Sequence, residues 1–454
     1  MRIGRVVALT LAPGLLLGPS LANAATPATV KATIQIPIAL LSASEDIAQI
    51  IPSGSSWLIV GNMDQTTIDS SPLLPTEPTK GESDGYVSML DSKLALVWTH
   101  RFGTSHDDVA TAIARDSAGV IWSVGVTTKE RQPTPATSAT TPATSASPTV
   151  APATPSATSP ADPMATLNPD GVVPVTLPAA APIGDQLLIA SFDAKGQLLS
   201  QNLVTIADGV ALNPSALVPA KSGVYVVGTA LNPETAASRG FYALIGADGT
   251  LGSVHWVGAK AVVLRSAALL GNGALALAGS IAERLKGRRA IGATDALIEV
   301  VNPDSGALLR AQRSGNTGAV RAWGSLVADR HGNLYATGLS LAGKTSEAVL
   351  TSFAPSLAVR YSLRLPSPLG QPLVLAAPRG ASVAIALSNV RKTRRGIETY
   401  LLPVSGTGRA LAPTYLLGKS AVGLLAAASG KGYLLANGTA TGVTLSWFAP
   451  RSKK

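Results

Sequence analysis

Short apolar segments alternate with glycine-containing turns along most of the chain, and this pattern predicts strands. Two clear examples are residues 116–125 and 329–338, where an Asp-x-x-Gly turn leads into an apolar segment with one aromatic residue and a final glycine. Apolar runs of this length, bounded by Gly, Asn and Asp, favour strands over helices. The turn glycines Gly119 and Gly196 are predicted to adopt the positive φ that tight hairpins require.

The same phrase occurs seven times, and its spacing predicts the architecture. Looser copies end at Gly61, Gly228, Gly279, Leu387 and Gly438. From Gly228 onward, successive copies end 49 to 59 residues apart, and each unit can be divided into four strands, a to d. A repeat of this length, made of strands and turns, indicates an all-β fold and specifically a seven-bladed β-propeller.

The two ends of the chain complement each other in this scheme. The seventh unit supplies three strands, whereas residues 33–41 form a strand that precedes the first unit. We therefore predict that the N-terminal strand completes the last blade as its outermost strand, which leaves no open sheet edge between blades. The alternative is an open array of six or seven units.

At these residues the chain resembles the bacterial propeller-repeat families, in particular the SBBP-type repeat. The resemblance rests on the phrase Asp-x-x-Gly-Asn/Val-x-Tyr/Trp-x-x-Gly and on Asp84 and Asp295 at the start of strand c. It covers nearly the whole chain after the N-terminal segment and is weak in the sixth unit. It implies a fold and an exported setting, with no shared catalytic residues. It also implies that the b–c and d–a connections share one face, called here the long-loop face, and the a–b and c–d turns the other, called the turn face.

The N-terminal residues predict export. Two arginines precede an apolar stretch at residues 6–21, which ends in Ala22-Asn23-Ala24. This is the arrangement of a secretory signal peptide, 1–24, cleaved after Ala24. A membrane anchor is the alternative, but prolines and glycines interrupt a stretch already short for spanning a bilayer. We expect residues 25–454 to be secreted or associated with the cell envelope, without a membrane span.

Composition narrows the classes of function. The chain has no cysteine, which excludes disulfides, thiolate metal sites and a cysteine nucleophile. The formal net charge of +10 favours anionic partners. We predict no cofactor, a monomeric state, and an anionic envelope polymer or a protein as partner, with nucleic acid excluded as the physiological ligand.

Residues 131–167 consist almost entirely of Pro, Thr, Ser and Ala. Such a segment cannot bury enough apolar surface to offset its ordering entropy, so it is predicted to be disordered with polyproline II character. It lies in the b–c loop of the second blade. It is either a tolerated surface insertion or an O-glycosylated stalk or spacer.

Cations are concentrated in the b–c loops of the fourth, fifth and sixth units. They are Arg284, Lys286, Arg288, Arg289, Lys344, Arg391, Lys392, Arg394 and Arg395. On a propeller, loops of three consecutive blades would face the same way. One interpretation is an anion-binding surface, because arginine-rich loops suit phosphate and carboxylate groups. The other is a set of solvated loops that keep the protein soluble.

Residues 338–345 match the phosphate-binding pattern G-x-x-x-x-G-K-[ST] letter for letter. That motif requires a helix after it, whose N-terminus helps to hold the phosphates. Here the repeat predicts strand c at that place, so we do not expect a nucleotide site.

An enzyme of the lyase or glycoside hydrolase type, with a site at the axial mouth, is the alternative to a binding or scaffold module. Such enzymes need converging carboxylates or a histidine–metal centre. The acidic candidates are Asp107, Asp108 and Asp208, with His106 beside the first two. The cluster at 106–108 is better explained by turn and cap chemistry, so the binding module is the predicted function.

Overall fold

The computed structural model describes residues 28–30, 34–39, 46–64, 81, 83–128, 184–284, 290–342, 345–365, 372–376, 383–390, 397–411, 414–416, 424–429, 432–439 and 442–448. These residues form seven sheets and no helix. The predicted fold, a seven-bladed β-propeller, is confirmed.

Each blade is an antiparallel sheet whose strands follow one another in the chain. Blade 1 comprises Asp46–Ser53, Ser56–Asp64, Ser83–Leu90 and Leu96–Phe102; blade 2 comprises Asp108–Arg115, Ile121–Thr127, Gln186–Phe192 and Leu198–Val204. Blade 3 comprises Ala211–Ala220, Gly223–Leu231, Ser238–Ile245 and His255–Val257; blade 4 comprises Val262–Leu269, Leu275–Ile281, Asp295–Val301 and Leu308–Ser314. Blade 5 comprises Val320–Ala328, Leu334–Ala342, Thr345–Phe353 and Val359–Leu365. Blade 6 comprises Leu373–Ala376, Val383–Val390, Ile397–Val404 and Thr414–Leu416; blade 7 comprises Leu424–Ser429, Gly432–Thr439 and Gly442–Phe448.

The sheets are arranged in a ring around the a strands. Strand a lies at an edge of its sheet and contacts strand a of the next blade, from blade 1 to blade 7 and from blade 7 to blade 1. Among the described residues there is one hydrophobic cluster for every pair of adjacent blades. Burial of apolar surface between neighbouring sheets therefore supplies the core.

A bulge in strand a explains the final glycine of the repeated phrase. In blades 1 to 5, strand a carries one extra residue directly after the residue that pairs with this glycine. A Cβ on Gly279 would lie 1.9 Å from the carbonyl oxygen of Val263, and one on Gly125 would lie 2.2 Å from that of Val109. Only glycine therefore fits opposite the bulge. In blade 6, Leu387 lies beyond the last described pair of strands a and b, Leu373 with Ala386.

The aspartate of the phrase performs two tasks at the a–b turn. One oxygen of Asp116 accepts the backbone N–H of Val120 at 2.9 Å, and the other accepts the indole N–H of Trp122 at 2.9 Å. Asp329 accepts the hydroxyl of Tyr335 at 3.1 Å in the same way. Burial acts to raise the pKa of Asp329, but hydrogen bonds from the turn and from Tyr335 outweigh it and hold that pKa below its ordinary value. Trp122 and Tyr335 are buried in the hydrophobic clusters between blades 2 and 3 and between blades 5 and 6.

The c–d turns pack against strand d of the preceding blade. Gly196 has a φ of 84° and lies on the ring of Trp98, whose indole N–H donates to the carbonyl oxygen of Ala194 at 3.3 Å. Gly119 also has the predicted positive φ, at 91°. In two c–d turns the same conformation is held by Leu94 (φ 63°) and Leu357 (φ 67°). Both leucines are buried, which offsets the backbone strain.

Two N-terminal segments add to the last two blades. Ile34–Ala39 pairs antiparallel with Gly442–Phe448 and is the outermost strand of blade 7. Ala28–Val30 pairs parallel with Thr414–Leu416 as a fifth strand of blade 6, which the sequence did not predict. That the pairing in blade 7 holds the ring closed stays a prediction.

Strand a of blade 3, Ala211–Ala220, contains two prolines, Pro214 and Pro219. Proline is tolerated there because strand a is the innermost strand of its sheet and has no partner strand on the axial side. An N–H that points to that side takes part in no ladder, so its loss is tolerated.

We predict that Gly279→Ala lowers the free energy of unfolding by about 3 kcal/mol, because its Cβ would overlap a backbone carbonyl that the bulge holds in place. Gly271→Ala is the matched control in the same blade, since a Cβ there would meet nothing within 4 Å. It should change stability by less than about 0.5 kcal/mol. Urea unfolding followed by circular dichroism measures both, and equal effects would contradict the bulge explanation.

We predict that deletion of residues 25–41 lowers the free energy of unfolding by about 3 kcal/mol, because the hydrogen-bonded ladder to Gly442–Phe448 is lost. Trp57 and Trp447 report on this junction of blades 7 and 1, since their ring centroids are 5.2 Å apart. Acrylamide quenching of their fluorescence should rise. A protein without residues 25–31, which retains Ile34–Ala39, is the control and should differ little. Equal stability of both truncated forms would contradict closure by this strand.

Candidate binding surface on the long-loop face

One of the nine cations predicted to bind anions lies within the described residues. Arg284 follows strand b of blade 4 and is exposed to solvent. The other eight lie outside the described residues: Lys286, Arg288, Arg289, Lys344, Arg391, Lys392, Arg394 and Arg395. Their common placement on one face therefore stays a prediction. The structure describes the residues on either side of the segment 285–289.

A buried ion pair lies beneath this b–c loop of blade 4. Asp295 begins strand c, and Arg313 is near the end of strand d, with Nε 3.0 Å from Oδ2. The side chains are 0% and 5% exposed. Gly315 leaves room for the carboxylate, because a Cβ there would lie 1.9 Å from Oδ1 of Asp295. Separating the two side chains, or removing one of them, would leave the other as an uncompensated buried charge. Because this is costly, the pair holds strands c and d of the blade in one arrangement.

The same ion pair holds both ends of the basic segment 284–289. On one side, Nη1 of Arg313 donates to the backbone carbonyl of Glu283 at 2.8 Å. On the other, the backbone N–H groups of Ile291 and Gly292 donate to the carboxylate of Asp295, each at 2.8 Å. The segment therefore leaves and rejoins the blade at two points fixed by one charged pair.

Glu283 also ties this loop to the preceding blade. Its carboxylate accepts the backbone N–H of Ala259 at 2.7 Å and of Lys260 at 3.0 Å, in the connection from blade 3 to blade 4. Gly258 allows this approach, because a Cβ there would lie 2.6 Å from Oε1 of Glu283. Arg284, the next residue, therefore extends into solvent from a position anchored to two blades.

An acid at the start of strand c and an arginine near the end of strand d, 17 or 18 positions later, recur in other blades. The pairs are Asp295–Arg313, Asp84–Arg101 (3.6 Å, buried) and Glu347–Arg364 (3.6 Å, exposed). In blade 3 the arginine is on strand c instead of strand d. Arg239 lies 4.5 Å above the ring of Trp256, which is on strand d. The spacing is visible in the sequence, but the repeated phrase marks only the acids Asp84 and Asp295 and not their arginine partners.

The acid–base cluster at 106–108 is a turn, as predicted. Asp108 is buried and accepts hydrogen bonds from the backbone N–H and the hydroxyl of Thr104, the latter at 3.0 Å. Burial raises the pKa of Asp108, hydrogen bonds from Thr104 and Thr127 counteract this in part, and the charge of Asp84 adds to it. Asp107 and Asp208 are exposed.

Small-molecule and metal sites are not conspicuous in the described part of the chain. Within it, no group of three or more His, Asp or Glu side chains could hold a metal ion. A cavity of about 20 Å³ lies on the turn face beside Trp57 and Trp447, with room for roughly one water molecule. The described ranges also contain no helix long and apolar enough to cross a membrane.

The phosphate-binding pattern at 338–345 spans the end of one strand and the start of the next, as predicted. Its first five residues belong to strand b, Leu334–Ala342, and its last residue begins strand c, Thr345–Phe353, which pairs with strand b. A strand presents no helix N-terminus, so the phosphate cradle of this motif is not formed.

No protein-family model matches the chain, and no curated protein sequence is similar to it. Three solved structures are similar to this chain over most of its length, at low identity and low TM-score. A protein of unknown function from Dyadobacter fermentans is 11% identical, with 92% of this chain and 99% of that chain covered and a TM-score of 0.43. The β-propeller domain of the Trilobed protease from Pyrococcus furiosus is 7% identical, with 88% and 95% covered and a TM-score of 0.45.

The acylaminoacyl peptidase of Pyrococcus horikoshii is 9% identical, with 89% of this chain covered and a TM-score of 0.45, and this chain spans 51% of its length. At these identities and TM-scores the similarity carries no argument about the family or the function of this chain. The relation to the SBBP-type repeat accordingly remains a resemblance.

We predict that Arg313→Leu lowers the free energy of unfolding by about 3 kcal/mol or more, because Asp295 is left buried without its partner. Arg364→Leu is the matched control at the equivalent place in blade 5. Its side chain is 64% exposed and its partner Glu347 is 40% exposed, so the loss should be at most about 1 kcal/mol. Chemical unfolding measures both. A small effect of Arg313→Leu would show that the loop ends do not depend on the pair.

Proposed function

We propose that this protein is an exported β-propeller that binds an anionic polymer of the cell envelope through its long-loop face. The observation that carries the proposal is the Asp295–Arg313 ion pair, which fixes both ends of the basic segment 284–289. A loop with fixed ends presents its cations to a polymer at a smaller entropic cost than a free chain does.

The charge pattern supports an anionic ligand. Arg284 is exposed on the long-loop face, and the remaining cations of the set occupy b–c loops of blades 4, 5 and 6 in the sequence. Arginine binds phosphate and carboxylate groups through two parallel hydrogen bonds. Several such contacts along one polymer would add to a strong but salt-sensitive affinity.

The proposed setting follows from the sequence. The signal-peptide pattern at 1–24 supports export, and the absence of cysteine is compatible with an oxidising compartment. In this setting the Pro/Thr/Ser/Ala-rich segment 131–167 would act as a spacer that extends from the same face as the basic loops.

The proposal predicts that the protein binds to the envelope fraction of the cells that produce it. This binding should weaken steeply as the salt concentration rises. We expect the double variant Arg394→Ser/Arg395→Ser to bind more weakly and with a shallower salt dependence, because two ionic contacts are lost. Replacement of Arg284, Lys286, Arg288 and Arg289 by serine should act in the same direction. Retention on immobilised envelope material across a sodium chloride gradient measures both, and dextran sulfate serves as a defined polyanion.

The control removes the same amount of charge from the turn face. Its four replaced cations are exposed and lie in a–b or c–d turns: Lys93, Lys195, Lys221 and Arg330. Changing these four to serine should leave retention nearly unchanged. If both four-charge variants lose retention equally, net charge explains the binding and the long-loop face does not. Salt-insensitive retention would indicate a protein partner, and no retention would indicate that the basic loops serve solubility.

A further inference from the structure

In blades 1 to 5 the bulge in strand a inserts one extra residue into the innermost strand of the sheet. Both faces of strand a pack against neighbouring blades, so an exposed side chain in the middle of this strand has the axial channel as its outlet. The extra residues of the five described bulges are Ala48, Thr111, Ser215, Arg265 and Gly324. Four of them are small, and the fifth is an arginine.

Arg265 is the extra residue of blade 4 and is exposed, whereas its neighbour Leu264 is buried. It lies in the interior of Val262–Leu269, away from both ends of the strand. Its side chain makes no hydrogen bond or ion pair with any residue that the structure describes. A long cation therefore enters the channel without a counter-charge among these residues.

The surroundings of Arg265 are confined although water reaches it. Burial lowers the pKa of the Arg265 guanidinium, and no carboxylate among the described residues contributes to that shift. Exposure to water and dense surroundings are compatible for a side chain that lines a narrow channel. A cation in such a place is less well solvated than on the surface, so it gains more from an anionic partner.

The backbone that carries Arg265 is held from both sides. The hydroxyl of Ser215 donates to the carbonyl of Leu264 at 3.0 Å, and the hydroxyl of Thr229 accepts the N–H of Leu264 at 3.0 Å. On the other side, the hydroxyl of Ser266 accepts the N–H of Leu326 in blade 5 at 3.1 Å. Arg265 is thus a donor on a fixed base, which lowers the entropic cost of binding.

We propose that Arg265 forms an anion site in the axial channel, which takes a small oxyanion such as phosphate or a carboxylate. The guanidinium supplies two parallel N–H donors, which match two oxygens of either group. The corresponding bulge residues of blades 1, 2, 3 and 5 are small, so among the described bulges Arg265 is the one long side chain. This site is separate from the basic loops of the long-loop face and does not depend on the proposed polymer.

The test is isothermal titration of the full chain with inorganic phosphate, and separately with acetate, in low-chloride HEPES. We expect one phosphate per chain, and Arg265→Gln should weaken binding at least about tenfold. Arg265→Lys should fall between the two, because an ammonium cannot form the two parallel hydrogen bonds. Arg310→Gln, an exposed cation on the outer strand of the same blade, is the matched control and should bind like the unaltered protein.

Thermal unfolding separates loss of the site from loss of the fold. In anion-poor buffer Arg265→Gln should unfold at the same temperature as the unaltered protein or higher, since a poorly solvated charge is removed. Phosphate should raise the midpoint of the unaltered protein by about 2 °C or more at saturation and leave that of Arg265→Gln unchanged. The variant with serine at 284, 286, 288 and 289 should still bind phosphate. Equal phosphate binding by Arg265→Gln, or no stoichiometric binding, would overturn the proposal and leave Arg265 as a hydrated channel residue.

Discussion

The contact between a glycine of strand b and a bulge in strand a is the constraint on which this ring depends. At Gly279 a Cβ would lie 1.9 Å from the carbonyl of Val263, so the two strands approach as closely as backbone atoms allow. The bulge bends the innermost strand and increases its twist, which helps each sheet to pack around an axis. In blades 1 to 5 it also adds one residue to the strand that lies nearest that axis. The repeated glycine and the bulge opposite it therefore have a common cause in this close approach of two backbones.

Side chains connect neighbouring blades at this same level. Asn62 of blade 1 accepts the N–H of Ala110 in blade 2 at 2.7 Å and donates to its carbonyl at 3.2 Å. Thr229 has the same relation to Leu264 between blades 3 and 4. These bonds satisfy backbone groups on the open edge of strand a, which no further strand covers. They also fix the backbone positions from which channel residues project.

Charged residues of the long-loop face have two different environments, and only one of them determines structure. Asp295 and Arg313 are buried and hold the ends of a loop, whereas Arg284 extends from that loop into solvent. A buried pair contributes rigidity and specificity of conformation rather than affinity for a ligand. In the proposed function, an exposed arginine on a rigid support supplies the contacts to the anionic ligand. The loop composition and the ion pair beneath it are therefore complementary parts of the proposed binding surface.

The sequence by itself determined the strands, their turns and the number of blades, because these depend on local periodicity and on glycine at positions of steric constraint. It also located the basic loops, since charge composition needs no tertiary information. The tertiary structure decided the short strand Ala28–Val30, the arginine partners of Asp84 and Asp295, and the place of Arg265 in a bulge of strand a. Each depends on which residues, distant in the chain, meet across a sheet or around the ring. A one-residue bulge also moves a side chain from a packed face to the channel, and a pattern of period two cannot reveal that change.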